Sequence, residues 1–262
     1  QYGSDLDVRP HKFLRKCHTD FSSYLGARPH FMKMGVYRDV ILDLPGEAWL
    51  EDVCVRPTLS EDRSKADVEM LLGAEGQPAA VQWTLTGPDG NEVASNEAEA
   101  GSKSFSFTVD RPRLWWPHTH GTPNLYTLRV ALEREGRIQD TREIEVGFRT
   151  VEPVLKDPAT GEDRFAFRIN GRLIYLGGAC WAPMEGITHV WDPERCNRLL
   201  DLAGHGNMNV IRVWGEGIIP PPQFFHECNR RGILVWQEFM TGFGMRFPLD
   251  HPGLRKNFEA EF

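Results

Sequence analysis

Absences narrow this sequence first. Only 5 cysteines occur in 262 residues: Cys17, Cys54, Cys180, Cys196 and Cys228, odd in number, widely spaced and without a CxxC pair. That pattern supports neither a disulfide framework nor a zinc site, so free thiols are expected. No apolar run reaches the roughly 18 residues of a membrane-spanning helix. No basic start leads into an apolar signal-like stretch, and the chain opens on Gln1 rather than Met, so the compartment stays open. Lys and Arg total 30 against 37 Asp and Glu, and the net charge of −7 without a long basic run argues against a nucleic-acid or acidic-membrane binder. Histidine ligand spacing is absent apart from His118-Thr-His120, which sits alone in a loop and reads as surface. No metal and no cofactor are expected. Internal repeats and low-complexity segments are absent too.

What is present is ordinary globular material, 40% hydrophobic and 26% charged, in a length that allows one large domain or two smaller ones. Residues 1–45 are mixed and end in GVYRDVILDLP, where Val36, Val40, Ile41, Leu42 and Leu44 predict a strand stopped by Pro45. Residues 46–152 read as all-β. EDVCVRP, ADVEMLL, AVQWTLTG, KSFSFTV and LYTLRVAL alternate apolar with polar residues, as strands with one buried face do. Turn residues stand at Gly87-Pro-Asp-Gly90 and Glu135-Gly-Arg137. About seven short strands in about 100 residues is the rhythm of an immunoglobulin-like sandwich.

After residue 153 the rhythm becomes strand, helix, strand, helix, strand. RLIYLGGA (172–179), MNVIRVWG (208–215) and ILVWQEFM (233–240) are compact apolar strands. DPERCNRLLDLAGHGN predicts a helix capped by Asp192, opened by Pro193 and striped by Leu199, Leu200 and Leu202. PPPQFFHECNRRG predicts a second, Pro-started and Gly-stopped. Near-continuous apolar strands in this order imply parallel strands buried on both faces. Three such units are either a small open α/β sheet or the first part of a (β/α)8 TIM barrel. The helix-like EAEF at the C-terminus favours the second, and with it a piece of a longer protein. An incomplete barrel leaves an unpaired edge, for which self-association is expected.

In α/β barrels reactive groups gather at the C-terminal strand ends. Here those ends hold Cys180, Trp181 and Glu185, then Arg212, Trp214 and Glu216, then Trp236, Gln237 and Glu238. Three indoles, an arginine, an amide and carboxylates form the kind of lining that binds sugars, with flat faces stacking on C–H groups and polar groups fixing hydroxyls. Plainer readings stand beside this one. Trp181 and Trp236 also suit core filling, Arg212 a structural ion pair, and Glu185 and Glu216 solvated loops. An arginine in a buried strand needs an anionic partner.

Several of these segments together resemble glycoside hydrolase family 2. LWWPHTHGTPNLYTLRVAL (114–132), VGFRTVE (146–152), FRINGRLIYLGGACWAP, RVWGEG and GILVWQEFM occur in that family's order, and the last two are most similar to its β-mannosidase branch. GVYRDV resembles the strand closing the family's N-terminal sugar-binding domain. The resemblance implies a jelly-roll remnant over 1–45, an immunoglobulin-like sandwich over 46–152 and the start of a TIM barrel over 153–262. It also implies a retaining exo-β-glycosidase acting on a β-linked carbohydrate. Arg212 then matches the arginine beneath the catalytic nucleophile, and Trp214 an aromatic of the sugar subsite. Trp181, Trp236, Gln237 and Glu238 fall at substrate-lining positions.

Retaining glycosidases need two carboxyl groups about 5–5.5 Å apart. In the family these lie on the fourth and seventh barrel strands, and no Asn-Glu closes a strand after Glu238. The catalytic pair is therefore expected outside this chain, which alone is expected to be inactive. Where β-mannosidases carry a sugar-contacting Asp, FSSYLG (21–26) offers Tyr24. Cys180 replaces a usual Asn, Glu216 replaces a Gly, and Glu238 stands for Asp. These departures leave exo-β-glucosaminidase, β-galactosidase and β-glucuronidase as alternatives, and a non-catalytic carbohydrate-binding or scaffold module as another.

Overall fold

The computed structural model describes residues 40–44, 46–76, 80–99, 101–182, 184, 191–215, 219–238 and 255–256. The expectations for FSSYLG with Tyr24, for Cys17, Glu185 and Glu216, and for residues 1–39 of the sugar-binding remnant over 1–45 lie outside these residues. The chain divides into two compact units, one of Val40–Leu176 with Cys228–Ile233 and one containing Gly177–Glu227 and the chain from Leu234.

The first unit is built on alternation. Its strands are β1 (Ala48–Leu59), β2 (Lys65–Gly76), β3 (Ala80–Thr86), β4 (Glu92–Glu99), β5 (Ser104–Asp110), β6 (Tyr126–Arg134) and β7 (Arg137–Val146). In β2, Ala66, Val68, Met70 and Leu72 are buried while Lys65, Asp67 and Glu69 are exposed, as a pleat with one wet face requires. The strands pair antiparallel into a β1-β2-β5 sheet and a β4-β3-β6-β7 sheet. Leu50, Val68, Met70, Trp83, Leu85, Leu128, Leu132 and Phe148 close one shared core. The two sheets thus form a β-sandwich around one core.

A third antiparallel sheet follows, ordered β10-β9-β8, from β8 (Val151–Lys156), β9 (Asp163–Ile169) and β10 (Arg172–Ile174). Asn170 (φ 48) and Gly171 (φ +77) make its tight turn in the left-handed region that short hairpins demand.

The second unit is a parallel sheet of β11 (Gly178–Trp181), β12 (Val210–Val213) and β13 (Leu234–Gln237), with helices α1 (Pro193–His205) and α2 (Pro222–Arg231) between them in sequence. Asp192 caps α1, its carboxylate accepting from Arg195 N at 2.9 Å. At the N-terminal ends of the strands the buried Asn209 binds both neighbours. Its Oδ1 accepts from Gly177 N at 3.0 Å, its N–H donates to Gly177 O at 2.9 Å, and its carbonyl accepts from Leu234 N at 2.8 Å.

Four expectations are corrected. Residues 40–44 hold no strand, and Val40, Ile41, Leu42 and Leu44 are 76–85% exposed. No partner strand among the described residues takes up their backbone hydrogen bonds. RLIYLGGA is two strands: β10 runs antiparallel to β9 in one sheet and β11 runs parallel to β12 in another, with residues 175–177 in neither. Gly178 permits the second pairing, since a Cβ there would stand 1.8 Å from Val210 O. The buried stripe of α1 is Cys196, Leu200 and Ala203, with Leu199 and Leu202 38% and 65% exposed. Spacing of i, i+4 and i+7 lies on one helix face, whereas Leu199 and Leu202 flank it. Finally, the parallel sheet is buried on one face only: Ile211 and Val213 are buried, and Cys180, Arg212 and Trp236 are exposed.

Candidate active-site face

Register decides which strand-end residues meet. Cys180, Arg212 and Trp236 stand in one row across β11, β12 and β13, and Trp181, Val213 and Gln237 in the next. Successive side chains leave opposite faces of a strand, so the two rows project to opposite sides. The Trp181 ring packs on Phe224 of α2, centroids 4.8 Å apart, which marks its row as the helix-covered face. The Arg212 row is the open one.

On the open face Arg212 has a partner within the chain. Its Nε donates to Glu238 Oε1 at 2.6 Å, and its Nη2 forms an ion pair with the same oxygen. Glu238 Oε2 accepts the Gly215 N–H at 2.9 Å. Both oxygens of Glu238 are thus engaged, and the first residues after β12 are tied to the end of β13. Arg212 Nη1 reaches Cys180 Sγ at 3.5 Å. The Glu238 hydrogen bond, followed by that to Cys180, pushes the guanidinium further above its ordinary value. The Arg212 and Glu238 side chains are 44% and 27% exposed, so solvent screens the pair and its worth lies in orientation more than in stability.

The remaining predicted residues are placed as follows. Trp236 lies beside Arg212 on the open face and is 39% exposed. Trp214 is half-buried directly after β12, its N–H donating to Trp181 O at 3.3 Å. Gln237 lies on the other face with Trp181; its Nε2 donates to Glu238 O at 2.7 Å, and its buried Oε1 has no hydrogen-bond partner among the described residues. The structure therefore groups Arg212, Trp236 and Glu238 and separates them from Trp181 and Gln237. Cys180 and the Gly215 amide join the group. Cys180 already stood at a predicted strand end, but its contact with Arg212 follows from the pairing register of strands about 30 residues apart in sequence.

The LWWP segment belongs to the first unit, where it is a framework. Trp115 is fully buried. Its Nε1 donates to Asn229 O at 2.8 Å, its N–H donates to Phe148 O at 2.9 Å, and its carbonyl accepts from Asn170 Nδ2 at 2.9 Å. The Arg149 guanidinium lies over its ring at 4.4 Å, and burial lowers the Arg149 pKa. His118 and His120 join no metal-ligand group, and none of three or more His, Cys, Asp or Glu occurs among the described residues. No helix among them is long and apolar enough to cross a membrane.

Comparison with known proteins agrees with this architecture. The sequence profile described as "Glycosyl hydrolases family 2" matches residues 48–149. Beta-mannosidase B of Aspergillus terreus is 34% identical over 220 residues, 82% of this chain and 26% of that protein. Beta-mannosidase B of Aspergillus oryzae is 32% identical over 238 residues, 89% of this chain and 28% of that protein. Among solved structures, a beta-D-mannosidase from Dictyoglomus thermophilum superposes with TM-score 0.69 at 28% identity, covering 83% of this chain and 28% of that one. Beta-glucuronidase 3 of Bacteroides uniformis, at 22% identity and TM-score 0.64 over 76% of this chain and 24% of that one, shares the fold. The chain thus spans about a quarter of the length of these relatives.

Proposed function

This chain belongs to glycosyl hydrolases family 2, and from that premise we propose that it forms part of a retaining exo-β-glycosidase most like β-mannosidase. In this reading β11, β12 and β13 are the first strands of a (β/α)8 barrel, and their open face is the side that turns toward the barrel axis. Arg212 serves that face by steadying an anionic carboxylate, the nucleophile, through the Nη1 edge that Glu238 leaves facing Cys180. Charge-assisted hydrogen bonds of this kind hold a carboxylate ionised at neutral pH. Trp236 and Trp214 offer the flat apolar surface on which a sugar ring stacks. The acid/base and nucleophile carboxyl groups come from barrel strands beyond this chain.

The observation that carries the proposal is the pairing of an exposed indole and an oriented guanidinium on one open face of a parallel sheet, in a chain 34% identical to a β-mannosidase B. The test is hydrolysis of aryl β-mannoside, β-glucuronide and N-unsubstituted β-glucosaminide by the longer protein that contains this segment. NMR detection of the first-formed anomer reads the stereochemistry. Preferential turnover of the mannoside with a β-anomer released first is the expected result. Preference for another sugar overturns the mannosidase assignment alone, and turnover of none of them favours the binding-module reading. The outer edges of β11 and β13, which no strand among the described residues covers, lead us also to propose that the chain as it stands self-associates. A mass that rises with concentration in static light scattering is expected, and a constant monomer mass overturns it.

A further inference from the structure

Both carboxylate oxygens of Glu238 are engaged on the open face. One oxygen accepts from the Nε edge of Arg212 and the other from the Gly215 amide. It therefore joins three things that the chain brings from different places: the end of β13, a side chain in the middle of β12, and the backbone just past β12. Arginine presents its N–H groups in a rigid planar fork, so fixing the Nε edge also fixes where the Nη1 group points. In this structure it points along the strand row to Cys180 Sγ at 3.5 Å. Arg212 Nε and Nη2 take one oxygen of this carboxylate and the Gly215 N–H one site of the other, which leaves a single lone pair for a sugar hydroxyl or for proton transfer.

We propose that Glu238 is a positioning residue: it aims the Arg212 guanidinium and pins the turn carrying Trp214, and it does not itself contact the sugar. The idea rests on the glycosidase reading for its consequence in catalysis but not for its geometry. Glu238 acts through Arg212, so its loss weakens the chemical step while leaving ground-state binding nearly intact. Displacements of about 1 Å in such a support cost on the order of a hundredfold in rate.

Two measurements separate the possibilities. In this chain, alkylation of Cys180 by iodoacetamide, resolved by peptide mass spectrometry, reads the local charge balance, since a thiolate is favoured by a nearby cation and disfavoured by a nearby anion. Glu238→Gln is expected to speed the reaction and Arg212→Gln to slow it, each by about threefold or more. Rates unchanged in both variants, or moving in the same direction, overturn the proposal. In the longer protein, turnover of 4-nitrophenyl β-D-mannopyranoside is expected to lose at least about tenfold in kcat in Glu238→Gln with KM within about threefold. Glu238→Asp, which restores a carboxylate, is expected to recover most of that loss. A raised KM at unchanged kcat shows direct sugar contact and overturns the proposal, as does failure of Asp to rescue. If the unsubstituted longer protein turns over no β-glycoside, the glycosidase reading fails, and the alkylation arm alone decides the role of Glu238.

Discussion

Two arginines paired with tryptophans show how differently the halves of this chain use the same chemistry. In the sandwich unit Arg149 lies over the fully buried Trp115, whose indole donates to Asn229 O while its backbone bonds Phe148 and Asn170. In the parallel-sheet unit Arg212 stands in a row with the half-open Trp236, and its partner is the Glu238 carboxylate. The first arrangement is closed upon itself and serves packing. The second stays partly exposed, the Arg212 side chain at 44% and Trp236 at 39%. The two sets of segments are therefore placed differently: LWWP and GFR build the framework, whereas RVWG and VWQE carry the Arg212–Glu238 pair of the exposed sheet face.

Substitutions sharpen that contrast. The largest effect is expected from Trp115→Ala, which empties a buried indole site and strands Arg149 and Asn229 O; a loss of about 3–5 kcal/mol is expected in urea unfolding of the chain. A shift under about 1 kcal/mol would show that the framework does not centre on this residue. Asn209→Ala comes next. It removes the acceptor of Gly177 N but leaves the backbone bonds of residue 209, so about 1–3 kcal/mol is expected. Hydrogen exchange should quicken at Gly177 and in β11 while amides of β2 and β6 keep their protection. Equal quickening in both units would break the comparison. Asp192→Ala removes the N-cap of α1 and should cost about 1 kcal/mol, seen as a small loss of helical circular dichroism and of thermal midpoint.

The smallest effect is a pH response confined to the sandwich. Asp62 accepts from the Ser60 hydroxyl and from Ser64 N–H and Oγ–H, which lower its pKa from 3.8 to about 2. Its folded pKa is depressed, so its stabilisation is present above 3.8 and lost as pH falls through about 2. Asp62→Asn should therefore flatten the acid limb of stability only within that window. NMR titration of the Ser64 amide is the direct check, and a midpoint at the ordinary carboxylate value would remove the effect.

Much of the fold was legible because its causes are local. The alternation in ADVEMLL and LYTLRVAL, the turn residues between strands and the Asp-Pro start of α1 act over a few residues, and each appears in the structure where the pattern put it. The misreadings occurred where a neighbour decides. Val40 to Leu44 are apolar enough for a strand but have no partner among the described residues. Leu199 and Leu202 are apolar enough for a core but sit off the buried face of α1.

The candidate site was legible as a set of residues and not as an arrangement. Composition and order at three strand ends singled out Arg212, Trp236 and Glu238, and an arginine in an apolar strand called for an anion. Which anion answers, and which side each tryptophan takes, depends on the parallel register that sets residue 180 beside 212 and 212 beside 236. A shift of one residue in that register would exchange the open and covered rows. The sequence by itself therefore determined the strand and helix pattern and the chemistry on offer, since these follow from side-chain type and short-range spacing. Only the tertiary structure decided that Glu238 binds Arg212 and that Trp181 faces α2, because such contacts arise from pairing between segments that do not meet in sequence.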